Sequence, residues 1–101
     1  MQDKIFETVD AYIDGLFASE DMILETIRDR ARAAGLPEIE VSAGQGKFLY
    51  LMAKLTGGIR MLEVGTLGGY STVWMARALP AGGQMITLEL DGAHAAFARE
   101  T

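Results

Sequence analysis

Apolar residues recur at helical spacing along the first half of the chain. Ile5, Val9, Tyr12, Ile13 and Leu16 fall on one face of a helix over residues 4–17, with Asp3, Glu7, Asp10 and Asp14 largely opposite. Ser19 is an N-cap residue type for a second helix, and Glu20 and Asp21 follow where negative charge suits the helix dipole. The expected buried stripe of that helix is Ile23, Ile27, Ala31 and Ala34. Gly35-Leu36-Pro37 then reads as a C′ glycine, an apolar C″ residue and a proline stop. Ile39-Glu40-Val41 is short and extended. Ser42 to Gln45 matches the S-x-x-Q capping box, which predicts a third helix to about Thr56. Phe48, Leu51, Met52 and Leu55 form its apolar face, and Gly57-Gly58 ends it.

From residue 59 the pattern changes. Ile59 to Val64 is a short apolar run, as expected of a strand covered on both faces. Gly65 to Gly69 is a glycine-rich turn, Tyr70 to Leu79 is helical, and Pro80 to Gly83 is a second turn. Gln84 to Leu90 reads as another strand, and Asp91 caps a last helix that runs to the end of the sequence. Strand, helix, strand with a connection of this length predicts a right-handed βαβ unit with parallel strands. Two parallel strands do not make a stable open sheet alone, because both faces and both edges need cover. The chain therefore reads as the front portion of a larger α/β domain, or as a unit that completes itself by association.

Composition narrows the class. Over 101 residues, 50% are hydrophobic and 23% charged, which excludes a disordered tail or low-complexity linker. A folded chain of this mass should expose roughly 5,600 Å². No apolar run approaches the length of a membrane span, no secretory leader is visible, and the absence of cysteine removes any disulfide framework; a cytoplasmic protein is the expectation. The net charge of −5 is concentrated at the front: residues 1–40 hold ten acids and four bases, residues 41–101 four acids and five bases. No basic stripe exists to neutralise phosphates, so no nucleic-acid partner is expected.

The candidate chemistry lies between Glu63 and Glu89. A glycine-rich turn after a first strand lets a ligand approach the backbone closely. Glu89, at the end of the second strand, sits where a carboxylate can accept hydrogen bonds from both hydroxyls of a ribose. The pattern is nucleoside-binding. A dinucleotide fold wants G-x-G-x-x-G, whereas Gly65, Gly68 and Gly69 give G-x-x-G-G. Glu63, two residues before Gly65, would repel a pyrophosphate and suit an ammonium or a sulfonium. S-adenosylmethionine carries both cations and no phosphate, so electrostatics prefers it to NAD.

Met61 to Ser71 (MLEVGTLGGYS) resembles the first motif of the S-adenosylmethionine-dependent O-methyltransferases related to catechol and caffeoyl-CoA O-methyltransferases. Val41 to Gly46 resembles the segment that crosses the cofactor site in that family, and Ile86 to Glu89 its second motif. The resemblance implies a Rossmann-like methyltransferase sheet, with residues 1–41 an N-terminal helical segment and residues 42–101 the first part of the cofactor domain. It also implies that Val41 meets the methionine part through its backbone and that Glu63 lies near the methionine end. Gly65 and Thr66 would present backbone to the cofactor, Ser71 would bond its carboxylate, and Glu89 would hold the ribose.

In the resembled family the metal ligands and catalytic groups lie beyond the fourth strand, and this sequence reaches only the second. No catalytic residue and no metal ligand can be matched here; a divalent metal, magnesium by resemblance, belongs to the complete enzyme. The expected activity is methyl transfer to a phenolic or catechol-type hydroxyl on a small molecule, with a homo-oligomer expected from the apolar N-terminal helices. Two alternatives stand beside it: a non-catalytic cofactor-binding or self-association module, and a NAD(P)-binding Rossmann domain. His94 reads as a structural or surface residue, Lys47 and Lys54 as a solvated face, and Trp74 as core. As a strand-end carboxylate, Glu89 is expected to add little to stability.

Overall fold

The computed structural model describes residues 2–101. Three helices, α1 (Gln2–Phe17), α2 (Met22–Ala33) and α3 (Ala43–Thr56), lead into strand β1 (Arg60–Val64), helix α4 (Tyr70–Ala76), strand β2 (Gln84–Leu88) and helix α5 (Gly92–Arg99). The strands pair in parallel with Met61 opposite Met85 and Glu63 opposite Thr87, which is the expected βαβ unit. No helix among the described residues is long and apolar enough to cross a membrane.

Several boundaries form for the expected reasons. Ser42 accepts from the Gln45 N–H while the Gln45 side chain accepts from the Ser42 N–H, closing the capping box. Gly57 ends α3 in the left-handed conformation. Beyond α2, Leu36 N–H bonds Ala31 C=O and Gly35 N–H bonds Arg32 C=O, a Schellman pair around Gly35 at φ +79°.

Other boundaries differ. Asp21, not Ser19, caps α2, because its carboxylate reaches the Leu24 N–H at 3.1 Å. The stripe that α2 buries is Leu24 and Ile27, while Ile23 and Ala34 face outward. The stripe is set by α4, whose Tyr70 and Trp74 close on Leu24 and Ile27 to make the core. Likewise α3 meets α4 through Gly46 and Tyr50, and the expected apolar face, Phe48, Leu51, Met52 and Leu55, is exposed. The reason is distance: a Cβ on Gly46 would stand 2.3 Å from Trp74 Cδ1, so only glycine admits the indole there. Helix α4 ends at Ala76 and finishes in tighter turns to Leu79, and β2 ends at Leu88 rather than Leu90.

The sheet is covered on one face only, against the expectation of two. Met61, Glu63, Met85 and Thr87 are partly buried, whereas Leu62 is 66% and Val64 81% exposed, with Ile86 and Leu88 open beside them. One helix, α4, packs on the inner face, and no described element packs on the other. Two polar contacts tie helix α1 to α3: Asp14 accepts from the Gly44 N–H at 2.7 Å, and Lys47 donates to the Phe17 carbonyl. Lys47 therefore closes the end of α1 rather than lying on a free solvated face.

Candidate functional site

The turn between β1 and α4 departs furthest from ordinary backbone. Gly65 at φ +95° and Gly69 at φ +91° take conformations that glycine adopts freely, and Leu67 stands at φ +52°, uncommon for a residue with a branched side chain. The turn is held in shape by Glu89. One carboxylate oxygen, Oε1, accepts from the Thr66 N–H at 3.0 Å and the Leu67 N–H at 2.7 Å; the other, Oε2, accepts from the Asp91 N–H at 3.0 Å. The bonds from Leu67 and Asp91, with that from Thr66, hold the Glu89 carboxyl below its ordinary pKa. Glu89 thus ties the end of β2 to the turn after β1, contrary to the expectation of a minor structural role.

Beneath the turn lies a second carboxylate hub. Glu63 accepts from Ser71 Oγ at 2.6 Å, from Thr72 Oγ1 at 2.5 Å and from Thr87 Oγ1 at 2.9 Å. The Thr66 hydroxyl, buried, lies 2.5 Å from that of Thr87 and extends the network into the turn. The three hydroxyls satisfy a partly buried charge and pin β1, β2 and α4 together.

A cavity of about 490 Å³ opens at the carboxyl ends of the two strands, where open α/β sheets receive ligands. Val41, Gly65, Thr66, Ser71 and Glu89 all line it. Glu63 does not; it stands behind Ser71, and the Ser71 hydroxyl spends its only proton on it. Glu89 has about one acceptor position left after its three backbone bonds, by the usual count of four lone pairs on a carboxylate. Glu40, Asp91 and His94 also line the cavity, with His94 Nε2 3.7 Å from Asp91 Oδ2. The wall therefore carries three carboxylates and no lysine or arginine.

The chain has close counterparts among known proteins. Residues 15–101 match the O-methyltransferase family. The sequence is 52% identical over 100 residues to the catechol O-methyltransferase of Niastella koreensis, covering 99% of this chain and 45% of the relative. The chain belongs to the O-methyltransferase family. Among solved structures, the O-methyltransferase from Bacillus cereus in complex with SAH superposes with a TM-score of 0.88 at 45% identity, over 92% of this chain and 42% of that one. The O-methyltransferase TomG from Streptomyces achromogenes, in complex with SAM, gives 0.88 at 41% identity, over 99% and 45%. This O-methyltransferase chain thus spans less than half the length of the relatives it matches, and its helices and two-stranded parallel sheet correspond to the N-terminal part of their Rossmann-like fold. Neither the NAD(P)-binding alternative nor the non-catalytic one is favoured by these likenesses.

Sequence reasoning did not find three parts of the site. Thr72 and Thr87 carry no signal of their own in the sequence, yet both serve Glu63. His94 reaches the cavity because the first turn of α5 follows the end of β2, a consequence of topology that its sequence neighbours do not show. Glu20, Arg28 and Tyr70 form a network behind the wall, although they are far apart in sequence.

Proposed function

We propose that this chain supplies the S-adenosylmethionine-binding part of an O-methyltransferase acting on a phenolic or catechol-type hydroxyl of a small molecule. The observation that carries the reading is the cavity wall, which has the carboxylates of Glu89 and Asp91, a third at Glu40 paired with Arg28 behind it, no lysine or arginine in the lining, and a glycine-rich turn open to the ligand. Such a wall attracts an ammonium or a sulfonium and disfavours a pyrophosphate. The SAH and SAM bound to the two structural neighbours support the same reading.

In this reading Gly65 and Thr66 offer backbone to the cofactor and Val41 closes over its methionine part. Glu89 receives one ribose hydroxyl at its free acceptor position; taking both requires it to release a backbone N–H. Ser71 bonds the cofactor's carboxylate through its hydroxyl only by letting go of Glu63, so Glu63 acts from behind the wall. When bound, the cofactor supplies a methyl group activated by the sulfonium for in-line transfer to the acceptor oxygen. A divalent metal does not fit the residues here: no group of three or more potential ligands occurs among the described residues. We assign metal dependence, the acceptor site and the catalytic groups to the remainder of a protein the length of its relatives.

The test is transfer of labelled methyl from S-adenosylmethionine to catechol, with magnesium present. The complete protein is expected to transfer label and the 101-residue chain alone to transfer none. No transfer by the complete protein to any phenolic acceptor would contradict the reading, and turnover by the rigorously purified short chain would overturn the division of labour.

A further inference from the structure

Arg28 lies on α2, outside the cavity, yet its guanidinium touches three residues of the cavity wall from behind. Nη1 donates to Glu40 at 3.0 Å and Nη2 to the Val41 carbonyl at 3.4 Å, while the guanidinium carbon stands 4.3 Å from the centroid of the Tyr70 ring. Nε donates to Glu20 at 2.7 Å, and Glu20 also accepts from the Tyr70 hydroxyl. Glu40, Val41 and Tyr70 all line the cavity.

The segment that Arg28 grips has few backbone bonds of its own. Residues 38–42 belong to no helix or strand; Ile39 N–H bonds Pro37 C=O, and the α3 cap begins at Ser42. Glu38 pairs with Arg32 at the exposed end and Val41 packs against the core, which leaves Arg28 as the side chain that holds Glu40. Two carboxylates, Glu20 and Glu40, converge on the one guanidinium, so its removal leaves like charges facing each other across a partly buried space. Lysine cannot replace it, because a single ammonium does not present a planar fork in three directions while stacking on a ring.

We infer that Arg28 is a positioning residue that fixes Glu40 and Val41 as the wall of the cofactor cavity and sets cofactor affinity without touching the cofactor. The affinity part of this inference rests on the function proposed above; the positioning part does not.

Two readouts separate them in the complete protein. The first needs no ligand: a glutamate-specific protease should cut after Glu40 markedly faster in Arg28→Lys than in the wild type at a temperature where both are folded. The second is titration with S-adenosylhomocysteine, where Arg28→Lys should bind about tenfold more weakly or worse, the scale of losing charged hydrogen bonds. Turnover should show a raised KM for S-adenosylmethionine with kcat little changed. Glu40→Ala, which leaves α2 and its Arg28–Glu20 pair intact, should reproduce the affinity loss even if Arg28→Lys folds poorly. Unchanged cleavage after Glu40 in a folded Arg28→Lys protein, or wild-type affinity in Glu40→Ala, would overturn the inference. A wild type that binds no S-adenosylhomocysteine while cleavage accelerates in the variant would overturn the cofactor reading and leave the positioning intact.

Discussion

At the scale of single residues, two glutamates that look alike in sequence have opposite jobs. Glu63 is surrounded by hydroxyl donors and works inward, joining β1, β2 and α4. Glu89 lies at the cavity and works on the turn, through bonds to Thr66 and Leu67 that secure the left-handed Leu67. Its carboxyl pKa is lowered from 4.5, so its stabilisation of the turn is fully present above that value and is lost as pH falls through the lower folded value. The Thr66 and Leu67 amide resonances should therefore shift in an acid transition below pH 4.5, and Glu89→Gln should abolish that transition. Persistence of the transition in the variant would assign it to another group. Glu89→Ala should weaken S-adenosylhomocysteine binding by roughly ten- to a hundredfold, the usual range for a charged hydrogen-bond partner. Unchanged affinity with a large fall in melting temperature would make the residue purely structural.

At the scale of elements, helix α4 organises the chain. Its Tyr70 and Trp74 select which stripe of α2 is buried and draw α3 in through Gly46. The Tyr70 phenol is kept protonated by burial and by its bond to Glu20, so it acts as a donor across the neutral range. Gly46→Ala should destabilise the fold by about 1–3 kcal/mol, the cost of overpacking a close contact, since the new methyl would meet the indole ring rather than a mobile side chain. Thermal melting checks this; an unchanged midpoint would show that α3 and α4 are not closely packed. The caps at Ser42, Gly35 and Asp91 were legible because they rest on bonds between near neighbours in sequence. So was the βαβ unit, whose apolar runs and turn lengths admit one topology. The buried stripes of α2 and α3 were not, because both helices carry more apolar residues than one face needs. Only the partner helix, distant in sequence, decides which face is covered. Five of the six candidate residues line one cavity; the glycine-rich turn and Glu89 were legible from their pattern and Val41 only through the family resemblance, whereas the Arg28 network, built from side chains up to fifty positions apart, leaves no periodic trace.

At the scale of the whole molecule, the chain exposes 6958 Å², against roughly 5,600 Å² for a compact protein of its mass. Apolar surfaces with no cover contribute to the excess: the outer face of the sheet, the face of α3 around Phe48 and Leu51, and the face of α1 around Ile5 and Tyr12. Contiguous surfaces of this kind drive association. The 101-residue chain should therefore run in light scattering as a species larger than a monomer, and a clean monomer across a concentration series would show that these faces tolerate water.

The central claim is that the cavity wall is built for a nucleoside carrying a sulfonium or an ammonium and not for a dinucleotide. Calorimetric titration of the relative-length protein proposed above with S-adenosylmethionine, S-adenosylhomocysteine and NAD tests it most directly. The account predicts saturable binding of both adenosyl ligands at the cavity formed by Val41, Gly65, Thr66, Ser71 and Glu89, with NAD weaker than either. NAD binding more tightly than both would contradict it.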